Sequence, residues 1–240
     1  MIDMSVAFAR RDYNVVMVVG DNASAFIDGL STNAVPDDGG VDRTCFTDRT
    51  ARILATAFAL RMGNGVVLAL HRMWTPRLME HFVERRLGQS LEFRDLSRLN
   101  HVTMQVQPGP GAPPLGSWQA QGPSTVARIH DELVLSITPG PMPEHLIDPG
   151  LEWTRWRVRH RWPEDGAEVT SDRHPLACGL ESFVHSNKGC YIGQEVLTRM
   201  RSRGRSGWSL HQGPTTAFAP DDITSEADGL ALAVVRSTAQ

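Results

Sequence analysis

A chain of 240 residues with 41% hydrophobic and 21% charged side chains can bury a full core, and its formal net charge of −3 provides no bulk attraction to nucleic acid. Three cysteines without a CxxC pair exclude a disulfide framework and point to a reducing compartment. No basic n-region leads into a long apolar run at the start. The longest apolar runs, at residues 15–19 and 66–70, are too short to span a bilayer, so the expectation is a soluble cytoplasmic protein with no membrane partner.

The predicted elements run as follows. The β-branched run ending at Gly20, with Asp21 and Ser24 as helix-start candidates and Phe26, Ile27 and Leu30 periodic beyond them, predicts strand, turn and helix. Residues 35–42, "VPDDGGVD", read as a loop. The segment 44–72 reads as a hairpin about the "GNG" turn at 63–65. "TPRLMEHFVERRLG" (75–88) predicts a helix capped by Thr75, with Pro76 at its first position and Gly88 past its end. Leu78, Phe82 and Leu87 are its expected buried face, with Met79 and Val83 at the margins.

Two short strands follow, the second "HVTMQV", then a proline–glycine stretch, then a strand or hairpin over 127–137. Residues 138–150 are too rich in proline for regular structure. "LEWTRWRVRHRWPEDGAEVT" alternates tryptophan and arginine with a period near two. That predicts a half-exposed strand with one aromatic and one basic side. Strands and helices intermix without a βαβ rhythm, which favours an α+β fold.

The chemistry concentrates in "NKGCYIGQEVLTRMRSRGR" (187–205). Lys188 is the single lysine among 24 basic side chains. Asn187, Lys188 and Gly189 read as a turn, and Ile192, Val196 and Met200 fall four apart with Leu197 beside them, predicting a helix. Gln194 and Glu195 lie in its first turn, where a carboxylate suits the helix dipole. Cys190 sits just ahead of that turn, where backbone N–H groups and a nearby ammonium favour the thiolate. A lysine can approach sulfur as a point donor where arginine brings a planar fork. Gly189 and Gly193 leave room for close backbone approach. An inert buried cysteine in an ordinary loop is the competing reading of this stretch.

The combination K-G-C-Y-x-G-Q-E followed by "RMRSRG" resembles the signature of the YgfZ family of folate-binding proteins, GcvT-like relatives of the glycine-cleavage aminomethyltransferase (T-protein). Residues 20–35, the stretch "MQVQPGPGAPPL" and residues 157–184 resemble further segments of that family. Departures are Ala177 for an acidic residue, Arg161 for a glycine, and "FTDRTAR" for a D-x-x-G turn. The resemblance implies a two-lobed α+β body over 1–205 with two subdomains, and a shortened C-terminal β segment over 206–240 in place of a full β-barrel. These parts would surround a central hole holding tetrahydrofolate.

It further implies an accessory role in iron–sulfur cluster assembly or repair, with folate and iron–sulfur client or assembly proteins as partners and no nucleic acid. Cys190 is then the functional thiol and Lys188 its neighbour. Gly189, Tyr191, Gly193, Gln194, Glu195, Arg157 and Glu168 are candidates for folate binding. The tryptophan–arginine run would supply a surface for the pterin to stack on and cations for the glutamate tail.

Three alternatives stand beside this. A folate-dependent aminomethyltransferase or demethylase would need an aspartate shortly after the strand at 66–70, but "HRMWTPRL" carries no carboxylate before Glu80, so glycine-cleavage turnover is not expected. A metal protein using His174, Cys178, His185 and Cys190 lacks the short paired spacing of structural sites. A degenerate scaffold is the third. Cys45 and Cys178, in "TCF" and "LACGL", read as core residues, while Asp48 and His71 are pocket candidates without a motif.

Overall fold

The computed structural model describes residues 6–203 and 207–236. The boundary expected near residue 205, and Arg205 itself, lie outside the described residues. Three antiparallel sheets form the frame. The first has the order β3 (Val41–Thr47), β4 (Ile53–Met62), β5 (Gly65–His71), β2 (Tyr13–Val19) and β6 (Glu92–Asp95). The second runs β1 (Val6–Ala9), β7 (Asn100–Val106), β10 (Leu133–Pro139), β9 (Ser124–His130) and β8 (Trp118–Gln121). The third is three-stranded, with β13 (Leu230–Arg236) between β11 (Trp208–Pro214) and β12 (Ile223–Ala227).

The first sheet is covered on both faces, which is why β4 and β5 read as continuous apolar runs instead of alternating ones. Period two still sorts their side chains. Val66, Leu68 and Leu70 join a core beneath helices α1 (Ala23–Leu30) and α2 (Thr75–Arg85), whereas Val67 and Ala69 face the second sheet. Phe82 of α2 anchors the helix-side core edge-on, its ring centroid 5.4 Å from Phe46 and 5.6 Å from Phe26. The expected hairpin is present, pairing Met62 with Gly65 across a turn that places Gly63 at φ 54°.

Three expectations at the residue level fail. Thr75 does not cap α2 but is its first residue, with Trp74 at the cap position and no side-chain cap hydrogen bond. Leu87 is not on the buried face of α2: that helix ends at Arg85, and Leu87 stands exposed beyond it. The tryptophan–arginine run is a helix, α3 (Leu151–Arg159), not a strand. Trp153, Trp156 and His160 fall at i, i+3 and i+7. Trp153 stacks on Trp156 at 5.3 Å, and Trp156 on His160 at 4.7 Å. The arginines alternate along the sequence, but the aromatic side chains have helical spacing, and burial of their large apolar area decides the outcome. The tryptophans of α3 enter the second-sheet core, while Val158 packs with Leu210, Leu232 and Val234 of the third sheet. No helix among the described residues is long and apolar enough to cross a membrane.

Candidate functional site

The loop 187–193 leads into helix α4 (Gln194–Ser202), and its side chains divide between two sides. Tyr191 turns inward and packs with Ala51, Leu176, Val184 and Leu197. Lys188 also turns inward. Its Nζ donates to the carbonyl oxygens of Asp28 (2.6 Å), Ser31 (2.9 Å) and Asn33 (2.9 Å), and lies 3.1 Å from the Asp28 carboxylate and 5.5 Å from the centre of the Tyr191 ring. These carbonyls belong to the end of α1, where helical oxygens lack intrahelical partners and a cation is favoured by the dipole. Burial depresses the Lys188 pKa against the opposing pull of Asp28. The ammonium therefore serves the carbonyls of α1 instead of acting as the donor to sulfur expected from the sequence.

Cys190 lies on the outer side and is exposed. Gly189 beside it is exposed as well, and a Cβ there would meet nothing within 4 Å. Gln194 reaches back to the Lys188 carbonyl at 3.5 Å, and Glu195 pairs with Arg199 at 2.7 Å on the outer face of α4.

Gly193 closes the loop from behind. It sits at φ 86°, a left-handed conformation suited to glycine, and an added Cβ would lie 2.6 Å from Thr47 Oγ1 and 2.7 Å from the Asp48 carbonyl oxygen. Thr47 Oγ1 donates to the Ile192 carbonyl, so the motif is docked on the turn between β3 and β4. Gly193→Ala is expected to cost about 2 kcal/mol from the left-handed backbone and the contact. Hydrogen exchange should report it as faster opening confined to residues 187–195 and the β3–β4 turn.

Arg157 and Glu168, expected as folate contacts, meet each other. Arg157 Nη1 donates to Glu168 Oε2 at 2.9 Å, and the other Glu168 oxygen accepts from Thr224 (2.7 Å) and Ser225 (2.6 Å) of the third sheet. Glu168 is 0% exposed and Arg157 5%, so neither borders open space.

They belong to a buried charge network between the three sheets that the sequence reading missed. Arg10 donates to Asp12 and Glu164 and lies 4.4 Å from the Tyr13 ring centre. Glu164 accepts from Trp153 Nε1 at 2.6 Å. Arg43 faces Asp165 at 4.0 Å. Asp165 accepts from Thr56 (2.6 Å) and Trp74 (2.9 Å), and its burial raises its pKa despite the Arg43 charge. The available signal was three carboxylates within five residues, at 164, 165 and 168, in the loop that follows α3.

The remaining candidates separate. Burial pushes the Cys45 and Cys178 thiols up to about 12, leaving both protonated and inert. His174 and His185 each accept a backbone N–H two or three residues on, and among the described residues no three His, Cys, Asp or Glu side chains converge on a metal position. His71 accepts from the Met73 N–H and lies 3.4 Å from Asp12.

Comparison with known proteins agrees with this architecture. No protein-family model matches the chain. The mitochondrial iron–sulfur cluster assembly factor IBA57 homolog of Pyricularia oryzae is 26% identical over 214 residues, covering 82% of this chain and 54% of that protein. A putative chloroplastic transferase of Arabidopsis thaliana is 25% identical over 223 residues, covering 77% of this chain and 50% of that protein. The tRNA-modifying protein YgfZ of Aliivibrio fischeri is 28% identical over 90 residues, covering 33% of this chain and 28% of that protein. The chain thus spans about half the length of the first two relatives.

Among solved structures, the glycine cleavage system aminomethyltransferase T of Bartonella henselae superposes with a TM-score of 0.77 at 15% identity, over 97% of this chain and 78% of that one. The fold is therefore that of the aminomethyltransferase class. Together with the named relatives, this makes the chain similar to YgfZ/GcvT-like proteins.

Proposed function

We propose that this chain is an accessory protein for iron–sulfur cluster assembly or repair, acting in the cytoplasm through the thiol of Cys190 and responding to tetrahydrofolate or a related folate. The observation that carries the reading is the exposed Cys190 on a loop fastened from behind at Lys188, Tyr191 and Gly193. A thiol so placed meets a client or a cluster as nucleophile or transient ligand without unfolding its support. Gly189, Gln194 and Glu195 belong to the same stretch of chain, Gln194 bonded to the Lys188 carbonyl and Glu195 paired with Arg199. The names of two relatives, an iron–sulfur cluster assembly factor and YgfZ, support the role.

The folate part rests on the family resemblance. Arg157 and Glu168 do not fit as its contacts, because each is buried and spent on the other and on the third sheet. No step is therefore derived through folate.

The test measures the maturation rate of an apo iron–sulfur client enzyme with purified wild type and Cys190→Ser, with and without tetrahydrofolate. Wild type is expected to accelerate maturation. Cys190→Ser should lose that acceleration while keeping the wild-type Tm, since the side chain is exposed. A fully active Cys190→Ser would overturn the role of the thiol. A maturation rate indifferent to tetrahydrofolate would remove folate from the proposal.

A further inference from the structure

A cleft of about 400 Å³ opens between the β3–β4 turn and one face of α2, a volume in the range of small-molecule sites. The helix contributes Arg77, Glu80, His81, Glu84 and Arg85, spaced three and four apart so that they share that face. The turn contributes Asp48, Arg49 and Thr50.

Most of the carboxylate charge here is already committed. Asp48 Oδ1 accepts from the Thr50 N–H, the Thr50 hydroxyl and the Arg52 N–H, and Glu84 pairs with Arg85 at 2.8 Å. The guanidiniums of Arg49 and Arg77 form no ion pair or hydrogen bond among the described residues. His81 is 6% exposed, and its Nε2 is buried with no hydrogen-bond partner. Burial, with Arg85 and Arg77 nearby, lowers the His81 pKa to about 4, so the ring is neutral at physiological pH. A neutral imidazole nitrogen without a partner is destabilising by the desolvation of a polar group, whichever tautomer it adopts. Leucine would fill the same volume without that penalty.

We propose that this cleft binds a small molecule bearing an oxyanion, a phosphate or a carboxylate, held by Arg49 and Arg77, with a hydrogen-bonding group that reaches His81 Nε2 once the side chains covering it move aside. Guanidiniums recognise both oxyanions through the same paired N–H geometry. The turn that forms one wall also carries Thr47 and Asp48, against which the Cys190 loop is docked, so the ligand would stiffen the support of that loop.

The test is thermal unfolding of the full chain at constant ionic strength, titrated separately with inorganic pyrophosphate and with citrate. At ten times Kd, a saturable Tm rise of about 3–6 °C is expected from at least one probe. Pyrophosphate alone acting assigns a phosphate, and citrate alone a carboxylate. Arg77→Ala, at an exposed position that leaves folding intact, is expected to raise Kd about ten- to hundredfold. His81→Leu should raise the Tm without ligand yet weaken the response. Cys190→Ser should respond as wild type, which separates this site from the proposed thiol function. No saturable response to millimolar levels of either probe, or an Arg77→Ala response equal to wild type, overturns the proposal.

Discussion

Glu168→Ala is expected to destabilise the protein by about 3–5 kcal/mol, because it takes the hydrogen-bonded carboxylate from the buried Arg157 guanidinium and leaves it only Glu164, 3.4 Å away and shared with Arg10. The carboxylate also accepts from the Glu164 backbone N–H at 2.9 Å and from Thr224 and Ser225, so one truncation unties α3, the loop after it and the third sheet together. For a chain of this size the loss corresponds to a Tm decrease of about 6–20 °C, with a matching shift of the urea midpoint. Replacing both partners with methionine should recover only part of the loss: it removes the buried charges but leaves the Glu164 N–H, Thr224 and Ser225 without the carboxylate they donate to. A Glu168→Ala protein with wild-type stability but weakened tetrahydrofolate binding would instead return Glu168 to the role of ligand contact.

Lys188→Met carries the second large effect, about 3 kcal/mol, through loss of three charge-assisted hydrogen bonds to the end of α1. Lys188→Arg should not rescue it. A compact ammonium meets three convergent carbonyls at 2.6–2.9 Å, whereas a planar guanidinium directs its donors into a fork and needs more room. Both variants should speed the reaction of Cys190 with a thiol reagent, as the loop loses its fastening while the sulfur stays exposed. Wild-type stability in Lys188→Arg would refute the carbonyl cage. Slower thiol labelling in Lys188→Met at unchanged stability would show instead that the ammonium activates the sulfur.

These two residues show where reading by resemblance and reading by structure part. The K-G-C-Y-x-G-Q-E stretch drew attention to this loop, but it could not show that Lys188 and Tyr191 turn inward while Cys190 faces solvent. A motif records residue order; orientation depends on which neighbours are near. The carbonyls of Asp28, Ser31 and Asn33 stand some 155–160 positions away in the chain. The pairing of Arg10 and Arg43 with Glu164 and Asp165 was hidden for the same reason, although the carboxylate cluster itself stood in the sequence. Arg10 and Glu164, for example, are 154 positions apart.

What the sequence determined by itself was local. The β-branched run before Gly20 made β2, Pro76 opened α2, the "GNG" turn closed the β4–β5 hairpin, and the four-residue spacing from Ile192 to Met200 made α4. Backbone preferences and side-chain periodicity act over a few residues and leave their record there. Tertiary structure decided the rest. It made the tryptophan–arginine run helical because its stacked tryptophans fill one core while Val158 fills another, left Leu87 outside because α2 had already ended, and joined Arg157 to Glu168 where a ligand site was expected. Burial and charge pairing depend on what the remainder of the chain brings into contact, and no window of neighbouring residues contains that information.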